Sequence, residues 1–197
     1  GGFGSGFLVG ERLGRGHFLL AFSPENDLDR TGFIPKDIVF VLDRSGSMGG
    51  EKIDQAHKAL DFILGQLAAD DRFSIVGFDD QMSVLSETLL PVGSGSLLEA
   101  RTFAAALTAR GNTDIATALQ AGLDILARGD RRDAPQLVVF LTDGLPTAGI
   151  TDEVEIAHLT DTANDRQVPA RLHVFGVGYD VNARLLESFA FETSDDT

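Results

Sequence analysis

Unbroken apolar runs punctuate this chain at wide intervals. Ile38-Val39-Phe40-Val41-Leu42 and Leu137 to Leu141 are rich in β-branched and aromatic residues and too short for helices, so they read as buried strands. Arg72 to Phe78 and Leu172 to Val177 read the same way. Met82 to Leu85 is a shorter strand behind Asp79-Asp80, an acidic pair that reads as a solvated tight turn. Strands joined that closely run antiparallel. Between the strands the apolar period lengthens to three and four. Ile53, Ala56, Leu60, Ile63, Leu64 and Leu67 form one helical stripe beginning near Glu51, and Ile115, Leu119, Gly122 and Leu126 form another. Gly122 on that face predicts close approach to a neighbour. Leu97 to Leu107 predicts a short helix after a loop from Pro91, with Gly93 to Ser96 as a flexible connector. Asp152 to Asp165 predicts a helix with a thin stripe (Ile156, Leu159, Ala163), and Asn182 caps a last one carrying Leu185, Leu186, Phe189 and Ala190. Alternating strands and helices define an α/β fold: a doubly wound, mostly parallel sheet with one antiparallel edge strand and helices on both faces.

Ahead of this pattern, residues 1–35 differ. They are glycine-rich to residue 16 and polar from Glu25, with one strand expected at His17 to Phe22. They read as a linker or the end of a preceding module, and 36–197 as the folded domain. The chain begins Gly1-Gly2, which reads as a piece of a longer protein. Its 197 residues suffice for one such domain. No apolar run approaches the ~20 residues of a bilayer crossing. A net charge of −14 argues against nucleic acid and anionic membrane as main partners. The absence of cysteine excludes disulfides, thiolate catalysis and Cys-ligated zinc. His17, His57 and His173 read as structural or surface residues.

The chemistry begins where the first long strand ends. Asp43-Arg44-Ser45-Gly46-Ser47 sets a carboxylate and two hydroxyls at alternate positions, and Gly46 lets the turn aim them at one place. Alone the pattern is weak, because such strings often serve only their own turns. Two further segments add to it: Gly111-Asn112-Thr113-Asp114-Ile115 offers a hydroxyl at the mouth of a helix, and Thr142-Asp143-Gly144 ends another buried strand in a carboxylate. In a doubly wound sheet, ligands sit at the carboxyl ends of strands where the order reverses. If the strands ending in Asp43 and Asp143 are neighbours there, both carboxylates share one crevice. Should these side chains meet, they offer only oxygen donors, which suit Mg²⁺, with Mn²⁺ or Ca²⁺ as alternatives, over zinc or copper.

Together these segments resemble the metal-ion-dependent adhesion site of von Willebrand factor type A domains, with all five positions matched in order: Asp43, Ser45, Ser47, Thr113 and Asp143. The resemblance implies that the three hydroxyls reach the metal and that the two aspartates hold it directly or through water. Pro35 to Met48, and Gly111 to Ile115 followed by Ala118-Leu119, resemble the A domain of inter-α-trypsin inhibitor heavy chains and their bacterial relatives. The implied function is a metal-dependent protein-binding module whose cation takes a Glu or Asp side chain from a partner, in a secreted or cell-surface setting, with a cytoplasmic one as the alternative. In that family a further strand and a closing helix follow the Asn182 helix, so the domain is expected to be truncated at its C-terminus.

Enzymatic readings fit less well. A haloacid-dehalogenase-type phosphotransferase needs an aspartate where Ser45 stands, and Ser45 and Ser47 do not form the G-x-S-x-G elbow of a serine hydrolase. Metal-assisted hydrolysis needs a general base, and Asp114, the nearby candidate, reads as support for a helix start. The chain is expected not to be an enzyme. A subunit of an intracellular ATPase or chelatase-type assembly would use identical site chemistry.

Overall fold

The computed structural model describes residues 8–12, 15–19, 34–165 and 168–178. The chain divides into one unit to Phe33 and another from Ile34. In the first, β1 (Leu8–Arg12) and β2 (Arg15–Leu19) form an antiparallel pair with Leu8 opposite Leu19 and Arg12 opposite Arg15. The sequence pattern predicts one strand there; β1 escapes it because glycine breaks the alternation. The predicted strand residues beyond Leu19, and the Asn182 helix, lie outside the described residues.

The second unit is built on β3 (Asp37–Asp43), buried along its whole length. It pairs in parallel with β4 (Arg72–Phe78) on one side and β7 (Gln136–Thr142) on the other, and β7 pairs in parallel with β8 (Arg171–Gly176). Residues buried on both faces of a parallel sheet need no polar alternation, hence the continuous apolar runs. The antiparallel edge comes in two pieces, both on β4: β5 (Met82–Val84) pairs with its end and β6 (Leu90–Pro91) with its beginning. The sequence pattern assigns no strand to β6, and Pro91 opens the predicted loop, since two residues ending in proline carry no strand signal.

Helices cover the sheet on both faces. α3 (Ile115–Ala127) lies on β3, β4 and β7, where Val39, Val41, Val76, Phe78, Val138 and Phe140 meet Ile115, Leu119 and Leu126. Phe78 and Phe140 stack with centroids 5.5 Å apart. A Cβ on Gly122 would stand 3.0 Å from a Val41 methyl, the close approach its position predicts. α4 (Glu153–Asn164) packs on α3 and buries Ile156 and Ala157, while Leu159 is exposed. The pleat sends Ile38, Phe40 and Leu42 to the other face, and they are equally buried. On that face α1 (Glu51–Leu64) packs against α2 (Ser94–Ala106), and Leu107 lies over Gly77. α2 begins three residues before the predicted start, so the expected flexible connector is its cap and first turn. Ser96 Oγ donates to the Pro91 and Gly93 carbonyls there.

At the amino end of the sheet Asp37, fully buried, takes a two-pronged bond from Arg72 (Nε to Oδ1 2.8 Å, Nη2 to Oδ2 2.6 Å). This fork ties β3 to β4 at the end opposite the candidate site.

Candidate metal centre

The chain order reverses at β3: β4 lies to one side and β7 to the other. Asp43 ends β3, and Asp143 follows β7 directly. Parallel pairing of Leu42 with Leu141 therefore brings the two carboxylates to one crevice. The turn after β3 is a single 3-10 turn, Gly46–Met48. Ser45 N–H donates to Asp43 Oδ1 at 2.7 Å, closing the turn on its own carboxylate. Ser45 Oγ and Ser47 Oγ are 3.0 Å apart, and Ser47 Oγ donates to Asp143 Oδ1 at 2.9 Å. Asp43, Ser45, Ser47 and Asp143 thus form one connected set. Ser47 is exposed, while Asp43, Ser45 and Asp143 are buried.

The segment that carries Thr113 is tied to this turn through the backbone. Gly46 N–H donates to the Gly111 carbonyl at 3.0 Å, and Arg110 N–H to the Arg44 carbonyl at 2.7 Å. From the other side, Thr147 and Ala148 N–H groups donate to the Thr113 carbonyl at 3.0 and 3.1 Å, and Thr113 N–H donates to Thr147 Oγ1 at 2.9 Å. Thr113 itself is buried, and its segment is held between the turn after β3 and the loop after β7. Among the described residues, its hydroxyl hydrogen-bonds none of the other four.

Burial raises the Asp43 carboxyl above its ordinary value, and the Asp143 charge adds to this. Hydrogen bonds from Thr142 and Ser45 pull the other way without overcoming it. Two buried acids beside the Ser45 and Ser47 hydroxyls, with Thr113 on the adjoining segment, offer oxygen donors whose chemistry fits a hard divalent cation. Among the described residues there is no cluster of three or more His, Cys, Asp or Glu able to hold a metal.

Several neighbours carry no sequence signal of their own. Thr142 Oγ1 donates to Asp43 Oδ2 at 2.6 Å and accepts from Gly144 N–H at 3.1 Å. Lys52 Nζ lies 2.8 Å from Asp143 Oδ2. Asp79 corrects the expectation of a solvated turn: it is 1% exposed, and only Asp80 faces solvent. Its Oδ2 accepts from Arg110 Nε at 2.8 Å and its Oδ1 from Gln81 N–H at 2.6 Å. The buried Arg44 guanidinium stands 3.4 Å away, a charge contact without hydrogen-bond alignment. Burial works to raise the Asp79 carboxyl, but the Arg110 bond, the Gln81 N–H and the two guanidinium charges outweigh it, leaving it below its ordinary value. Its own carbonyl accepts Asp114 N–H at 3.1 Å. Asp79 therefore fastens the turn after β3 to the Thr113 segment. Asp114 caps α3, accepting Thr117 N–H at 3.2 Å and Thr117 Oγ1 at 2.8 Å, in line with its expected role. His57 and His173 are half-buried, and burial lowers both below the ordinary histidine value, as suits packed structural rings.

A family model for the von Willebrand factor type A domain matches residues 37–197, and the chain belongs to that family. It is similar to inter-alpha-trypsin inhibitor heavy chain H4 of Bos taurus, 32% identical over 186 residues, covering 92% of this chain and 20% of that protein. Heavy chain H1 of Mesocricetus auratus is 32% identical over 183 residues, covering 90% and 19%. The chain thus spans about a fifth of the length of these relatives. Among solved structures, a von Willebrand factor type A protein from Catenulispora acidiphila superposes with a TM-score of 0.70 at 21% identity, over 80% of this chain and 36% of that one. A manganese-loaded TRAP protein from Plasmodium vivax superposes with a TM-score of 0.61 at 21% identity, over 83% and 65%. These two share the fold.

Proposed function

We propose that this domain is a metal-dependent protein-binding module, in which Asp43, Ser45, Ser47, Thr113 and Asp143 hold a divalent cation, Mg²⁺ first among them, that bridges to a Glu or Asp side chain of a partner. The observation that carries it is the connected run from Ser45 Oγ through Ser47 Oγ to Asp143 Oδ1, with Asp43 buried behind it. The cation would supply a Lewis-acidic point of attachment for a carboxylate. The chain's own residues do the rest. Asp43 orients the turn through Ser45 N–H, and Thr142 holds Asp43 in place. Ser47 is exposed and lies at the surface where a partner would approach. The family relation to heavy chains of the inter-α-trypsin inhibitor type favours a secreted or surface-held setting.

A non-catalytic role fits the same geometry. Asp114, the candidate base, caps α3 with both carboxylate oxygens on Thr117, the helix-start role its position suggests. Titration calorimetry with Mg²⁺ and Mn²⁺ on the wild type and Ser45→Ala tests the site, and capture of a carboxylate-bearing partner with and without EDTA tests the bridge. Metal binding lost in Ser45→Ala and capture lost in EDTA are expected. Undiminished capture in EDTA rejects the bridge.

A further inference from the structure

Lys52 occupies the second position of α1, in the turn where the helix dipole favours acids and disfavours ammonium groups. Its Nζ lies 2.8 Å from Asp143 Oδ2, leaving Oδ1 to Ser47, and the lysine and aspartate side chains are 22% and 3% exposed. Glu51 and Asp54 share that turn, and the ammonium sits on one of the two buried carboxylates of the site, where its charge bears on any metal held there. We propose that Lys52 sets the charge of the metal centre and thereby makes it select an anionic ligand. This rests on the metal-binding reading above.

The charge count gives the consequence. Asp43 and Asp143 contribute −2 and Lys52 +1, so these three groups together carry −1 without metal. A divalent ion brings the sum to +1. A partner carboxylate then restores neutrality, whereas a neutral amide leaves the positive charge standing. Without Lys52 the loaded site would already be neutral, and an incoming carboxylate would make it an anion among buried groups. The ammonium therefore weakens the hold on the metal and strengthens the preference for acid over amide. One charge a few ångströms away, partly screened by water, changes each affinity by about tenfold.

The test uses the 197-residue chain with Mn²⁺ as the metal, and acetate against acetamide as ligand probes, in wild type, Lys52→Gln, Lys52→Arg and Ser47→Ala. Calorimetry reads the metal, and water-proton relaxation of the Mn²⁺-loaded protein reads its displacement by the probes. Lys52→Gln is expected to bind Mn²⁺ about tenfold more tightly and to require about tenfold more acetate, with acetamide unaffected. Lys52→Arg keeps the charge and stays near wild type. A merely structural lysine would not make metal binding tighter when removed. If Lys52→Gln binds Mn²⁺ no more tightly than wild type while Ser47→Ala has lost it, the metal site stands and the role of Lys52 falls. Tighter Mn²⁺ with unchanged acetate selectivity overturns the proposal too. If neither wild type nor Lys52→Gln takes the ion, the metal reading itself fails and this proposal with it.

Discussion

Replacing Asp79 by alanine removes a carboxylate that is 1% exposed and leaves the Arg44 guanidinium, 6% exposed in its side chain, without a counter-charge. Breaking a buried pair from one side costs about 3–5 kcal/mol, because the remaining charge stays out of water. Arg110 adds little, about 0–1 kcal/mol, since its side chain is 55% exposed and rehydrates. Asp79→Ala should therefore cost about 3–5 kcal/mol in urea unfolding, with the slope m unchanged. Arg44→Met in the same background removes the orphaned charge, so the double variant should be more stable than Asp79→Ala alone, and the cycle should return a coupling above ~1 kcal/mol. The contribution also has a definite pH dependence. The native Asp79 carboxyl lies below its unfolded value of 3.8, so the unfolded chain takes up the proton first. The difference between wild type and Asp79→Ala should be fully present well above pH 3.8 and shrink as pH falls through the lower native value. A loss below ~1 kcal/mol, or additive single variants, would refute a buried clamp and return Asp79 to the status of a turn residue.

Other perturbations probe the rest. Asp43→Asn should raise the urea midpoint of the metal-free domain at neutral pH, since a carboxyl raised by burial opposes folding above its unfolded value of 3.8, while abolishing the Mn²⁺ thermal shift; a lowered midpoint contradicts this. Gly149 has a φ of 62°, and a Cβ there would stand 2.5 Å from Asp114 Oδ1, so Gly149→Ala should cost about 1–3 kcal/mol by thermal unfolding and disturb the cap beside Thr113. Arg72→Lys offers one point charge to a carboxylate gripped at two points, and should cost about 1–3 kcal/mol in urea despite keeping the charge.

The strands and the stripes of α1 and α3 are legible in the sequence because burial on them is periodic and extended. α2 starts earlier than its pattern predicts because Ser94-Gly95-Ser96 has no apolar period, and its first turn is fixed by Ser96 reaching back to two carbonyls. The meeting of Asp43 with Asp143 depends on β3 lying beside β7, which spacing permits and only pairing decides. Asp79 is misread for a physical reason. Two acids between strands look like a solvated turn locally, and nothing nearby reveals that Arg44 and Arg110, from distant segments, converge on one of them. Lys52 is visible in retrospect as a basic residue in a first helical turn, though its carboxylate lies 91 positions away.

The flank of the sheet beyond β4 ends in fragments of three and two residues, the second finishing in Pro91, whose nitrogen carries no hydrogen. Fragments so short offer an extended peptide, or a sister molecule, no continuous ladder to lengthen. Growth by strand addition is blocked along that border, so two copies meeting there have no template for fibrous stacking.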